Sequence, residues 1–186
     1  MRNSILIGAI DTGFELLLQG HCEATSALAV HPRLPCYLTG GFDDQIHLFD
    51  AKRHTILKSK CITMPVCGAA FSPNGLLLII GSTDGNWLLL DASTMETVFN
   101  ATDGSATINC VKFSPDGKYF SLGSSDSHVY VYETNESGNK FTRVGSCEHS
   151  SPIKEIDWSD DSLYLQVQTM NLQLSYWGDT RLQLPR

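Results

Sequence analysis

Phe71-Ser72-Pro73-Asn74-Gly75 and Phe113-Ser114-Pro115-Asp116-Gly117 are nearly the same phrase written twice, 42 residues apart. In each, an aromatic residue ends a stretch of β character, proline fixes φ and glycine supplies a positive φ. Each phrase therefore reads as a strand running into a tight turn. Degenerate copies flank the pair: Val30-His31-Pro32 stands 41 residues before Phe71, and Trp158-Ser159-Asp160-Asp161 stands 45 residues after Phe113. A second marker advances in step, because Phe49-Asp50, Leu90-Asp91, Tyr132-Glu133 and Tyr176-Trp177 close the four segments. Two independent markers that keep one period identify an internal repeat.

Each repeat is written in strands. In the third, Ile108-Asn109-Cys110-Val111-Lys112-Phe113 alternates apolar and polar residues, the period of a half-buried strand. Ser114–Gly117 turns the chain, Tyr119–Gly123 returns, Ser124–Ser127 turns again, and His128–Tyr132 makes a third strand. Asn135–Asn139 reads as a polar loop, and Phe141-Thr142-Arg143-Val144 begins a fourth, outer strand. Three to four strands in roughly 40–45 residues make one blade of a WD-repeat β-propeller. The predicted fold is therefore all-β, a WD-repeat β-propeller of about four to four and a half blades, either an open arc or part of a larger propeller. Residues 1–19 supply strands of a preceding partial blade (Ile5–Ile10 and Phe14–Gln19). Repeats follow at 20–59, 60–102, 103–147 and 148–177, and 178–186 form an atypical tail.

Aligning the repeats places Asp43, Asp84, Asp126 and Asn171 in the turn between the second and third strands, each seven residues before the closing position. A short carboxylate or amide there bonds turn backbone amides. Nine residues before the first-strand marker stand His21, Ile62, Gly104 and His149. Gly20-His21 is the Gly-His dipeptide of WD repeats, and its imidazole is expected to reach Asp43 and, through Thr39, to tie strands together. The remaining repeats diverge from that network. His21, Thr39, Asp43, Asp84, Asp126, His149 and Asn171 are thus the expected structural set.

The 186 residues carry a formal net charge of -7. Nucleic acids and anionic membranes are polyanions that need a basic footprint, so neither is expected as a partner. One local exception is the cluster Lys52, Arg53, Lys58 and Lys60, read as a solvated outer strand with its loop, or as a partner contact. The longest apolar run, Leu76 to Ile80, is far too short to span a bilayer, and Asp11 interrupts the N-terminal apolar stretch. A cytosolic chain keeps its cysteines reduced. Cys22, Cys36, Cys61, Cys67, Cys110 and Cys147 form no C-x-x-C, and most are expected to serve as buried small hydrophobes. Cys61 and Cys67 are spaced to meet.

Catalytic signatures fare poorly. Asp11-Thr12-Gly13 matches the aspartic-protease triplet, but that chemistry needs a second carboxylate and no second triplet occurs, so a hairpin turn is expected. His21, Cys22, His31 and Cys36 offer zinc-type ligands that strand alternation does not aim at one point. His149-Ser150-Ser151 sets a base beside hydroxyls in a blade-connecting loop, where a structural cap is expected. Neither phosphate-binding glycine motif is present. The expectation is a non-enzyme without cofactor or metal that binds proteins through rim loops. Its candidates are Pro32–Cys36, Phe42–Gln45, Thr83–Asn86, Pro115–Lys118, Ser124–His128 and Ser159–Ser162.

The wording beyond the repeat signature resembles the echinoderm microtubule-associated-protein-like family. The resemblance rests on Gly20-His21, on the stretch from Leu38-Thr39-Gly40-Gly41-Phe42-Asp43 to Phe49-Asp50-Ala51, and on the two Ser-Pro-Asx-Gly phrases. It extends through Tyr132, Lys140–Gly145 and His149-Ser150-Ser151-Pro152 to Trp158, and covers roughly residues 2–177. It implies a pair of joined propellers with this stretch in the second, residence in the cytoplasm on the cytoskeleton, and association with tubulin or microtubules. In shorter members of the family an N-terminal coiled coil and basic region carry much of the microtubule attachment. Neither occurs in these residues, whose one basic cluster is 52–60. The resemblance also implies seven blades, so this stretch is expected to be part of a larger protein or a truncated product without independent function. Its open blade ends are expected to meet the missing blades or to self-associate. A generic WD-repeat adaptor for another cytosolic complex, such as a ligase or signalling scaffold, is the alternative.

Overall fold

The computed structural model describes residues 4–134 and 141–178, with backbone alone for 4–7 and 15–19. The expected loop Asn135–Asn139 and the tail beyond Gly178 lie outside the described residues. The chain opens on an antiparallel hairpin, β1 (Ser4–Ala9) and β2 (Gly13–Gln19). The first meander sheet holds β3 (Thr25–Val30), β4 (Cys36–Gly41), β5 (Gln45–Asp50) and β6 (Thr55–Cys61). The second holds β7 (Val66–Phe71), β8 (Leu77–Ser82), β9 (Asn86–Asp91) and β10 (Thr97–Thr102). The third holds β11 (Ile108–Phe113), β12 (Tyr119–Ser124), β13 (His128–Thr134) and β14 (Phe141–Glu148). The fourth holds β15 (Ile153–Trp158), β16 (Tyr164–Thr169) and β17 (Leu174–Gly178). Among the described residues no helix is long and apolar enough to cross a membrane.

Sheets whose strands run in chain order stack only if both faces are apolar, and the side-chain period of two provides this. Leu78 and Ile80 of β8 pack toward the first sheet with Leu38 and Ile46, whereas Ile79 between them packs toward the third with Val111 and Phe120. β13 divides the same way: Tyr130 and Tyr132 face the second sheet, and Val129 and Val131 face the fourth with Ile156 and Val167. The first strands β3, β7, β11 and β15 contact one another in succession, so they stand innermost and the sheets radiate as blades.

Two details repeat at backbone level. The pairing of each first strand with its second shifts register at the same place, between Thr25 and Ala27, Val66 and Gly68, Ile108 and Cys110, and Ile153 and Glu155. Such a bulge sharpens the local twist. Gly40, Gly81 and Gly123, in the second strands, let the next blade approach. A Cβ on Gly81 would lie 2.5 Å from Ile108 Cγ2, and one on Gly40 would lie 2.4 Å from Val66 Cγ1. In the fourth blade that register position holds Gln168.

Candidate functional site

The four aligned turn residues do one job. Asp43 Oδ1 accepts the Gln45 amide at 3.3 Å, Asp84 that of Asn86 at 3.3 Å, Asp126 that of His128 at 3.0 Å, and Asn171 that of Gln173 at 3.3 Å. Each of these bonds ties the turn to the first residues of the following strand. In all four blades the residue directly after the aspartate or asparagine takes positive φ: Asp44, Gly85, Ser127 and Leu172.

His21 adds a tie across strands in the first blade. Its Nδ1–H donates to Asp43 Oδ1 at 2.8 Å, which leaves Nε2 to accept the Thr39 hydroxyl at 2.9 Å. Burial would raise the Asp43 pKa, but hydrogen bonds from His21 and the Cys22 amide outweigh it and hold the carboxyl below its ordinary value. His47 lies beside His21, its ring tilted and 4.5 Å away between centroids, and burial above all lowers its pKa. Ligand atoms of His21, Asp43 and His47 lie within 4.8 Å of one another, close enough for a metal ion. Both His21 nitrogens are already hydrogen-bonded, so a metal would have to displace the Asp43 or the Thr39 bond. The zinc-type set His21, Cys22, His31 and Cys36 is divided, because β3 separates His21 from His31.

The divergent blades replace this tie in ways the repeats did not reveal. Gly104 stands where the first blade has His21, and the room left there is taken by the Tyr130 hydroxyl, which donates to Asp126 Oδ2 at 2.5 Å. One residue earlier, Asp103 is 3% exposed and accepts from Trp87 Nε1 at 2.9 Å, the Tyr132 hydroxyl at 2.6 Å and Arg143 at 3.2 Å. Burial, then the Asp103 hydrogen bond, pushes the Tyr132 pKa upward. In the fourth blade His149 Nδ1 lies 3.4 Å from Ser175 Oγ, while His149 Nε2 and Trp177 Nε1 are buried without a hydrogen-bond partner.

The turns between first and second strands carry a further repeated device. Ser72, Ser114 and Ser159 each accept, through Oγ, the amide five residues on at 2.9 Å, from Leu77, Tyr119 and Tyr164. In the first blade His31 stands at that position, and its Nδ1 accepts the Arg33 and Leu34 amides at 3.1 and 3.0 Å.

The basic cluster divides into two pairs. Lys52 and Arg53 are exposed in the β5–β6 turn, their amides donating to Asp50 Oδ1 at 2.8 Å. Lys58 and Lys60 reach from β6 to the Ser93 and Met95 carbonyls of the next blade. Asp11-Thr12-Gly13 forms the β1–β2 turn, with Gly13 at positive φ. Fewer cysteines are buried than the sequence reading expects: Cys36 and Cys147 are, Cys67 and Cys110 are half-buried, and Cys22 and Cys61 are exposed. Cys61 and Cys67 remain separate thiols.

Side-by-side meander sheets, first strands innermost and an aspartate or asparagine at each inner turn, define a β-propeller of the WD-repeat class. Residues 26–184 match the sequence profile described as the echinoderm microtubule-associated protein second beta-propeller. The chain is 42% identical over 177 residues to "Echinoderm microtubule-associated protein-like 2" of Mus musculus, covering 95% of this chain and 27% of that protein. The Homo sapiens counterpart is 43% identical over the same share of each chain. The "77 kDa echinoderm microtubule-associated protein" of Strongylocentrotus purpuratus is 35% identical, over 95% of this chain and 26% of its own length. This chain belongs to the echinoderm microtubule-associated protein family. It spans about a quarter of the length of these curated relatives.

Proposed function

We propose that the chain is a non-catalytic WD-repeat scaffold segment that contacts tubulin, in the cytoplasm and on the cytoskeleton. The observation that carries this reading is the match over residues 26–184 to a propeller of proteins named for microtubule association. The physical support is a rigid stack of blades that presents short, hydrogen-bonded turns on two rims, the arrangement in which loops recognise partners. In this proposal the repeat units run 20–59, 60–102, 103–147 and 148–177, and the network of His21, Thr39, Asp43, Asp84, Asp126, His149 and Asn171 holds the turns in shape.

Tubulin is acidic, and so is this chain at -7, so whole-molecule charge gives no steering and contact has to be local. Of the four basic residues Lys52, Arg53, Lys58 and Lys60, the first two face outward and are the proposed contacts. Lys58 and Lys60 also bind the neighbouring blade, so neutralising them tests stability as well as binding.

The test is size exclusion with light scattering, of the purified chain alone and with soluble tubulin. Co-elution, weakened in Lys52→Ala with Arg53→Ala, supports the reading. A folded peak that ignores tubulin at low salt rejects it and favours a scaffold for another complex.

A further inference from the structure

Charge is distributed unevenly along the rim formed by the turns between first and second strands and those between third and fourth. In the first blade these turns carry Arg33, Lys52 and Arg53, all exposed. The corresponding turn after β9 offers Ser93 and Thr94, and the fourth blade's rim turn carries Asp160 and Asp161. The two first-blade turns are adjacent in space, because the Ala51 amide donates to the Pro35 carbonyl at 2.8 Å. None of the three cationic side chains has an ion-pair partner among the described residues, and the Asp50 carboxylate neighbours Lys52 and Arg53.

Apolar surface lies in the same place. Leu34 is 59% exposed and Leu76, on the next blade's turn, 64%. His31 joins the two turns. Its Nδ1 accepts the Arg33 and Leu34 amides, so the proton sits on Nε2, which donates to the Gly75 carbonyl at 3.2 Å. The ring also lies tilted against Phe71, 5.0 Å between centroids, and Pro32 and Pro35 bracket the turn. The patch is therefore held in shape before any partner arrives, which lowers the ordering cost of binding.

We infer that this rim patch docks an acidic peptide segment of a protein partner, with an apolar side chain of that segment seated between Leu34 and Leu76. Charge complementarity selects the occupant: three cations beside Asp50, on a chain that is otherwise acidic, attract a carboxylate-rich strand, which Asp160 and Asp161 on the fourth blade's rim repel. The inference deepens the tubulin reading by naming a surface and a chemistry, and its test is run without tubulin so that the two can fail separately.

The probe is a fluorescein-labelled heptapeptide of six glutamates around one phenylalanine, followed by anisotropy against the full chain. Controls are an all-glutamate peptide, a lysine-for-glutamate peptide and a single-stranded oligonucleotide. Binding that weakens about tenfold between ~50 and ~300 mM salt is expected, from screening of exposed charges. Arg33→Glu with Lys52→Glu should weaken it about tenfold or more. Leu34→Ser with Leu76→Ser should reduce the phenylalanine peptide to the affinity of the all-glutamate one, while the exposed Leu172→Ser on the other rim changes nothing. All of these positions are exposed, and thermal melting checks that each variant folds. Equal binding by wild type and both double variants overturns the inference, as does oligonucleotide binding that equals or exceeds peptide binding. A dimer dispersed by the charge reversal, with no peptide binding, overturns it in favour of a second copy. No peptide binding by wild type, beside tubulin co-elution in the separate chromatography, leaves the family reading standing and overturns the rim docking.

Discussion

Val167 holds in β16 the register that Thr39 holds in β4, each four residues before its turn aspartate or asparagine. The consequence is visible nearby: His149 Nε2 and Trp177 Nε1 have lost the hydroxyl that serves His21, and both are buried without partners. Unsatisfied buried polar atoms cost on the order of 1–3 kcal/mol each. Val167→Thr adds an oxygen at nearly constant volume, and we expect it to stabilise the chain by about 1 kcal/mol, read as a higher melting temperature. A lower one rejects the account. Gly104 teaches the opposite lesson. Placing the repeat histidine there with Gly104→His puts a Cβ 2.3 Å from Asp126 Oδ2 at a backbone φ of +66°. The Tyr130 hydroxyl already serves Asp126, so this change should destabilise by about 2 kcal/mol or more in denaturant titration.

At the scale of elements, Asp103 joins β9, β13 and β14 through Trp87, Tyr132 and Arg143. Asp103→Asn removes one acceptor oxygen and turns an amide NH₂ toward groups that donate. The expected loss is about 2–4 kcal/mol, measured by urea denaturation with tryptophan fluorescence. Arg143→Met should cost less than ~1 kcal/mol, because that side chain is half in solvent and screened. Acid acts on the elements in two stages. The folded-state pKa values of His47 and His149 are lowered, chiefly by burial, so below the ordinary 6.5 the unfolded chain takes up more protons and stability falls. Asp84, Asp91 and Asp161, lowered by serine hydroxyl hydrogen bonds, lose their contribution only as pH falls below 3.8. Denaturation midpoints should therefore decline between pH 7 and pH 5, and a flat profile over that range opposes the histidine assignment.

At the scale of the whole molecule, the outward faces of the outermost four-stranded and three-stranded sheets differ. On the first, Leu28 and Val30 of β3 are 66% and 70% exposed. The fourth sheet's outward face mixes Tyr164, Leu174 and Tyr176 with Gln166 and Gln168. Gln168 also fills the position where Gly40, Gly81 and Gly123 admit a following blade. Association of the isolated chain should therefore depend on the β3 side. Light scattering should show concentration-dependent mass that Leu28→Ser with Val30→Ser reduces more than Leu174→Ser with Tyr176→Ser. A sharp monomer at all concentrations overturns this.

Repeat period, strand succession and the turn aspartates were legible in the residues themselves, because alternation, proline and glycine turns and local side-chain-to-amide bonds act within a few positions. The family resemblance was legible in the same stretches. Other features depended on what the chain brings together from afar. The positions aligned with Asp103 hold Gly20, Cys61 and Glu148, so no repeated residue marks it, and its donors lie 16, 29 and 40 residues away. His31 replaces a serine as turn acceptor, and nothing local says that its other nitrogen reaches Gly75. Lys58 and Lys60 read as surface charge until the next blade's carbonyls stand beside them. The sequence by itself determined the blades, since a β-strand's two faces are a local alternation. Only the tertiary structure decided which polar groups meet between blades and which cations stay free, since those pairings depend on how neighbouring sheets stack.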